Sequence, residues 1–127
     1  PNTEGLTDGL CGILDLAHPI KHMQPRDWTL CLEVGEHIPK KYEQNFIDNL
    51  AKVSKKGIVV SWAIPGQSGH GHVNCQTNDY ISGEFVRRGF RKAPYMESQL
   101  RKAARFGYFK RTIMVFKNNN NEDSYIL

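Results

Sequence analysis

Residues 57–64 (GIVVSWAI) form a run that is apolar on both faces. A strand exposed on one side alternates apolar and polar residues. A strand apolar throughout belongs to a sheet covered on both sides, typically a parallel one. Parallel neighbours need a long crossover, usually a helix, and a helical pattern precedes this run. Pro39 suits a first helical position. Tyr42, Phe46, Ile47, Leu50 and Val53 recur at helical spacing, with Lys40, Lys41, Glu43, Gln44, Asp48, Asn49 and Lys52 filling the other face. Gly57 stands where a glycine ends a helix. Upstream, residues 28–34 (WTLCLEV) follow the turn-like Pro25-Arg26-Asp27 and predict a strand. Strand, helix and strand make a βαβ crossover.

The flanks extend this pattern. Residues 11–16 (CGILDL) predict a short strand closed by Pro19. Residues 65–74 (PGQSGHGHVN) are a glycine-rich loop. Thr77 or Asn78 can cap a helix carrying Tyr80, Ile81, Glu84, Phe85 and Arg88, with Gly89 after it. Residues 90–93 read as a weaker strand. Met96, Leu100, Ala103 and Ala104 mark a basic amphipathic helix, and residues 109–117 (FKRTIMVFK) a last strand. The expected architecture is three-layer α/β. Residues 118–127, opening on four asparagines, are too polar to bury a core and are expected to form a tail.

Composition narrows the class. At 127 residues the chain can bury a core without disulfides or metals as staples. No apolar run approaches the ~20 residues of a membrane span, and no signal segment opens the chain. Cys11, Cys31 and Cys75 have no framework spacing, so free thiols and a cytoplasmic location are expected. The net charge of +4 is spread out apart from residues 87–111, so no nucleic-acid partner is expected. Lys92, Arg101, Lys102, Arg105, Lys110 and Arg111 read mainly as a solvated basic face.

Ligands of open α/β sheets bind beyond the carboxyl ends of the strands. That rule selects Asp15-Leu16, residues 33–37 and residues 62–74, all expected along one sheet edge. Asp15 can accept a hydrogen bond from an exocyclic amine, or simply cap a loop. Glu33 and Glu36 favour a cationic ligand. His37 can act as a general base, with an ordinary pKa near ~6.5, or pair with Glu36 at a helix start. Gly35 permits a tight turn or close approach. Trp62 either lines a pocket or fills the core. Gly66, Gly69 and Gly71 suggest a loop that closes over a ligand. His70, His72 and Cys75 give H-x-H-x-x-C, but no second pair at ligand spacing exists, so no metal site is expected.

Taken together, these residues resemble the later part of a class I S-adenosylmethionine-dependent methyltransferase. The resemblance covers about residues 10–117. It rests on the strand ending Asp15-Leu16, the stretch LEVGEHIP over residues 32–39, KGIVVS over 56–61, GHGHVN over 69–74, Asp79-Tyr80, and the phrase from Phe85 to Gly89-Phe90. It implies a Rossmann-like sheet, mostly parallel with an antiparallel last strand. It also implies S-adenosylmethionine as cofactor, and methyl transfer to a small-molecule or glycan-type acceptor. By the same resemblance, Asp15 and Leu16 would contact the adenine, and Glu33, Val34 and Gly35 would lie beside the methionine moiety. Glu36, Trp62, Gln67, Asn74 and Tyr80 would face the acceptor, with His37, His70 and His72 as candidate catalytic bases.

The pattern departs from the family at its start. The glycine-rich loop of the form acidic-x-Gly-x-Gly is absent, as is the acid that grips the ribose, unless Glu4 or Asp8 substitutes. Residues 1–117 are therefore expected to be a partial methyltransferase domain, incomplete at its amino-terminal side. These residues alone would then bind the cofactor weakly or not at all. A methyltransferase-like binding or scaffold module without activity is the alternative, and a small metal-binding α/β protein a third reading.

Overall fold

A computed structural model describes residues 3–121. The elements in order are α1 (Thr3–Leu6), β1 (Arg26–Leu32), α2 (Glu43–Val53), β2 (Ser54–Ser61), α3 (Asn78–Arg87), β3 (Phe90–Lys92), α4 (Pro94–Ala103), α5 (Gly107–Thr112) and β4 (Met114–Asn118). Short 3-10 turns at Gly35–His37 and Lys40–Tyr42 link β1 to α2.

The four strands form one sheet in the order β1-β2-β4-β3. β1 and β2 are parallel, and β4 runs antiparallel to both β2 and β3. Three strands thus point one way, with the antiparallel last strand inserted between β2 and β3.

The doubly apolar run explains the layers. Ile58 and Val60 of β2 join Phe46, Ile47 and Leu50 of α2, Ile81 and Phe85 of α3, and Met114 and Phe116 of β4 in one core. Val59, one residue out of phase, packs on the opposite side with Ala93, Met96, Phe109, Ile113 and Val115. Successive strand side chains alternate faces, so β2 feeds two cores at once. β1 is covered on one face only: Cys31 is buried, whereas Leu30 is 70% exposed.

Several expected boundaries shift. The strand expected over residues 11–16 does not form. Residues 7–25 hold no helix or strand, and Leu10 to Asp15 lie exposed with no ladder to join. The expected convergence of three strand ends therefore reduces to two, those of β1 and β2. β2 begins at Ser54 and stops at Ser61, where its pairing with β1 ends at Leu32. Gly57 consequently sits inside the strand rather than ending α2. A Cβ there would lie 2.4 Å from the Trp28 ring and 2.6 Å from the Phe116 carbonyl, so the crossing requires glycine. Residues 107–112 are helical, and the last strand starts at Met114, where its ladder with β2 starts.

Two residues assigned to the wet face of α2 are buried, Glu43 at 1% and Asn49 at 3% exposure. β4 extends to Asn118, and the Asn119 amide donates to the Gly89 carbonyl. The first residues of the expected tail are thus hydrogen-bonded to the sheet. Residues 122–127 lie outside the described residues.

Candidate active site at the carboxyl ends of β1 and β2

Parallel pairing sets Leu32 opposite Ser61, so the loops leaving β1 and β2 emerge side by side. The first residue beyond β1, Glu33, has φ 53°, a left-handed conformation costly for a residue with a Cβ. Its surroundings hold it there. The Glu33 amide donates to Ser61 Oγ (2.9 Å), and Ser61 Oγ donates back to Glu33 Oε2 (3.0 Å). Gln67 Nε2 donates to Glu33 Oε1 at 2.8 Å. Glu33 is therefore a fixed carboxylate at the strand end.

The chain then folds into the turn Gly35–His37, which drives Glu36 inward. Glu36 is 0% exposed, and among the described residues neither carboxylate oxygen has a hydrogen-bond partner of good geometry, the backbone amides of Glu36 and Ala63 only moderating its pKa. Burial, together with the nearby charge of Glu33, pushes its carboxyl above the ordinary range. The Glu36 carbonyl accepts from the amides of Val73 and Asn74, both at 2.9 Å, which ties the glycine-rich loop to the turn.

That loop delivers His72 to the same place. His72 Nε2 lies 3.9 Å from Glu36 Oε1, and the His37 and His72 rings are 5.1 Å apart at a steep angle. His37 Nδ1 lies 3.0 Å from the Gly71 carbonyl, and His72 Nδ1 3.0 Å from the Gln67 carbonyl. A carbonyl oxygen only accepts, so each Nδ1 carries a proton, and in the neutral ring Nε2 is the nitrogen with the lone pair. A Cβ on Gly69 would lie 2.2 Å from His72 Nε2, so any larger residue there would displace the His72 ring.

These groups border a cleft of about 530 Å³ lined by Glu33, Glu36, His37, Gln67, His72 and, from α5, Tyr108 and Arg111. Sequence reasoning placed Arg111 on a solvated face and passed over Tyr108 and Ser61. All three depend on how α5 and β2 pack, which periodicity does not report.

Behind the cleft lies a second polar cluster. Glu43 Oε2 accepts from Asn74 Nδ2 (2.8 Å) and Gln76 Nε2 (3.2 Å), and its Oε1 from Tyr80 Oη (2.5 Å) and Lys40 Nζ (3.0 Å). Burial alone would raise the Glu43 carboxyl. The bonds from Tyr80, Asn74 and Lys40 outweigh it and hold Glu43 below its ordinary value. Asn74 and Tyr80 thus both engage Glu43. Glu43 itself had a legible signal, since it shares a helical face with Phe46, Ile47 and Leu50.

The remaining candidates fall elsewhere. Trp62 is fully buried; its indole donates to the Asn74 carbonyl at 2.7 Å and its ring packs on Phe46. A Cβ on Gly35 would meet that ring at 2.3 Å, so Trp62 braces the turn from beneath. Val34 packs at the core margin. His70 is exposed and does not line the cleft. Asp15 lines a different cleft, of about 640 Å³, with Gly12, Ile13, Leu14, His18 and Met23 among its walls. Its carboxylate accepts from the Ala17 amide (2.9 Å) and pairs with His18 Nδ1 (2.6 Å), which lowers its pKa. The Leu16 carbonyl accepts from Asn49 Nδ2 at 3.0 Å, anchoring this segment to α2.

No family model matches the sequence, and no curated protein matches it. Solved structures do match. The magnesium protoporphyrin IX methyltransferase ChlM from Synechocystis PCC 6803, with bound S-adenosylmethionine, aligns over 83% of this chain with a TM-score of 0.57 and 21% identity. LepI in complex with S-adenosylmethionine aligns over 83% with a TM-score of 0.51 and 11% identity. The fold is part of a class I methyltransferase fold. The chain spans 43% of the ChlM chain and 29% of the LepI chain.

Proposed function

We propose that this chain contributes the acceptor side of a centre for S-adenosylmethionine-dependent methyl transfer to a small-molecule or glycan-type acceptor. The observation that carries this reading is the cleft at the carboxyl ends of β1 and β2, in a chain with this fold. There Glu33 and Glu36 present two carboxylates at the mouths of adjacent parallel strands. The residues fit one end of the cofactor. Carboxylates attract the ammonium and sulfonium charges of the methionine moiety, and the orphaned oxygens of Glu36 can accept a partner.

The cofactor, when bound, supplies a methyl group already activated on sulfur, so the protein's part is alignment and exclusion of water. Glu33, braced by Ser61 and Gln67, is pre-organised to hold the cationic end. Asp15 and Leu16 would serve the adenine end. With no cation bound to them, His37 and His72 offer Nε2 lone pairs beside the acceptor space, able to take a proton from an acceptor hydroxyl or amine.

The test is calorimetric titration of S-adenosylmethionine into the longest natural chain that contains these residues. Losing one hydrogen bond to a charged group costs ~1.5–3 kcal/mol, or ~10–100-fold in affinity. Asp15→Ala and Glu33→Ala should each weaken binding by at least ~10-fold on that basis. Unchanged affinity in both variants, or no binding by the wild-type chain, would overturn the reading.

A further inference from the structure

We propose that Glu36, His37 and His72 form a binding site for one divalent transition-metal cation. The proposal rests on the geometry of the side chains and stands whether or not the chain takes part in methyl transfer. One ligand atom from each of the three residues lies within 4.8 Å of the others. Ligand atoms at ~2.0–2.2 Å from one tetrahedral zinc-like ion lie roughly 3.3–3.6 Å apart. The Glu36–His72 separation of 3.9 Å is within roughly half an ångström of that spacing. The exposed His37 ring, whose ligand nitrogen lies within 4.8 Å of the other two ligand atoms, has the larger gap to close, on the order of 1 Å.

Three further observations point to a cation. Glu36 is fully buried, and among the described residues neither of its oxygens has a hydrogen-bond partner of good geometry. An unpaired buried carboxylate costs several kcal/mol, and its 3.9 Å contact with His72 is too long to be a hydrogen bond. Each histidine donates Nδ1–H to a backbone carbonyl, Gly71 for His37 and Gln67 for His72. That arrangement fixes the tautomer leaving Nε2 as the ligand, and such outer partners are usual for metal-bound histidines. Gly69, finally, keeps the space beside His72 Nε2 clear of any Cβ.

Two imidazoles and one carboxylate favour zinc, manganese, iron or cobalt over magnesium or calcium. Three protein ligands also leave coordination positions open toward the cleft. A cation there would bind water or a ligand oxygen and lower its pKa. The site differs from the H-x-H-x-x-C pattern of the sequence, sharing only His72.

The probe is cobalt(II) chloride, added to chelator-treated protein in the absence of S-adenosylmethionine. The expected result is one equivalent bound, with a visible band of nitrogen- and oxygen-ligated cobalt, displaced by zinc. His37→Ala, an exposed position, should weaken binding by at least the ~10–100-fold that loss of an outer partner alone costs. Gly69→Ala should weaken it by ~10-fold or more through His72. Glu36→Gln should abolish the band. Where that buried variant fails to fold, His37→Ala with an unchanged circular dichroism spectrum decides. No stoichiometric binding by wild type, or equal binding by wild type and His37→Ala, overturns the proposal. Because no methyl donor is present, either outcome is independent of the cofactor titration.

Discussion

Glu43→Gln should destabilise the protein strongly at neutral pH and little in acid. Four donors converge on this carboxylate, from Tyr80, Asn74, Gln76 and Lys40. A glutamine offers one accepting oxygen and one donating amide. With its oxygen toward Asn74 and Gln76, its amide faces Tyr80, whose hydroxyl must turn from donating to accepting, and Lys40, which can only donate; turned the other way, the amide faces the Asn74 and Gln76 donors. Lys40 is 59% exposed on its side chain, so its ion pair is screened and adds little. Asn74 is 5% exposed and cannot turn to water, so the oxygen stays on its side, and the charge-assisted bond from Tyr80 is the main loss. Losing a hydrogen bond to a charged group costs ~1.5–3 kcal/mol, and the weakened bonds from Asn74 and Gln76 bring the total to ~3 kcal/mol. For a domain of this size that lowers Tm by ~10 °C.

The pH dependence follows from the direction of the shift. The folded carboxyl titrates below its ordinary value, so its stabilisation is fully present above the unfolded pKa near ~4.3. It is lost as pH falls through the lowered folded value. Thermal unfolding followed by circular dichroism, wild type against Glu43→Gln, should show the full gap at pH 7 and a closing gap below that window. Equal Tm values at pH 7, or a gap that widens in acid, would refute the reasoning.

Other expectations are simpler. Burial, reinforced by Glu36, pushes the Cys31 thiol up to about 12, whereas Cys11 is exposed. Iodoacetamide at pH 8 should therefore label Cys11 and leave Cys31 unmodified in the native state, as peptide mapping will show; fast labelling of Cys31 would contradict its placement in the core. Asn49 bonds the Ile20 amide and the Leu16 and His18 carbonyls, all from a segment with no helix or strand. Asn49→Ala should cost ~2 kcal/mol or more and speed proteolysis within residues 16–23; an unchanged cleavage rate there would mean that the segment is held by something else.

The fold was legible where the signal is local. The apolar stripe of α2 and the doubly apolar run of β2 are each read from neighbouring residues, and both formed. So did the Thr77 cap of α3, whose hydroxyl accepts from the Tyr80 amide. Strand limits were not legible, because a strand lasts only as long as its ladder. Residues 11–16 have strand composition and no partner, and residues 62–64 run past the last pairing with β1. The burial of Asn49 also escaped notice, because the stripe marks the helix face that meets the sheet and not the loop that lies across its flank.

The sequence by itself determined that a βαβ unit would bring the loop after β1 beside the loop after β2, and it named Glu33, Glu36, His37 and His72 within those loops. Only the tertiary structure decided what these residues are to one another. It buried Glu36 with no hydrogen-bond partner of good geometry among the described residues, fixed both histidine tautomers through the carbonyls of Gly71 and Gln67, and kept Asp15 in a separate cleft. The physical reason is one of range. Periodicity reports the face a residue turns to its own element, whereas hydrogen bonds between loops depend on strand register and on glycines that let backbones touch.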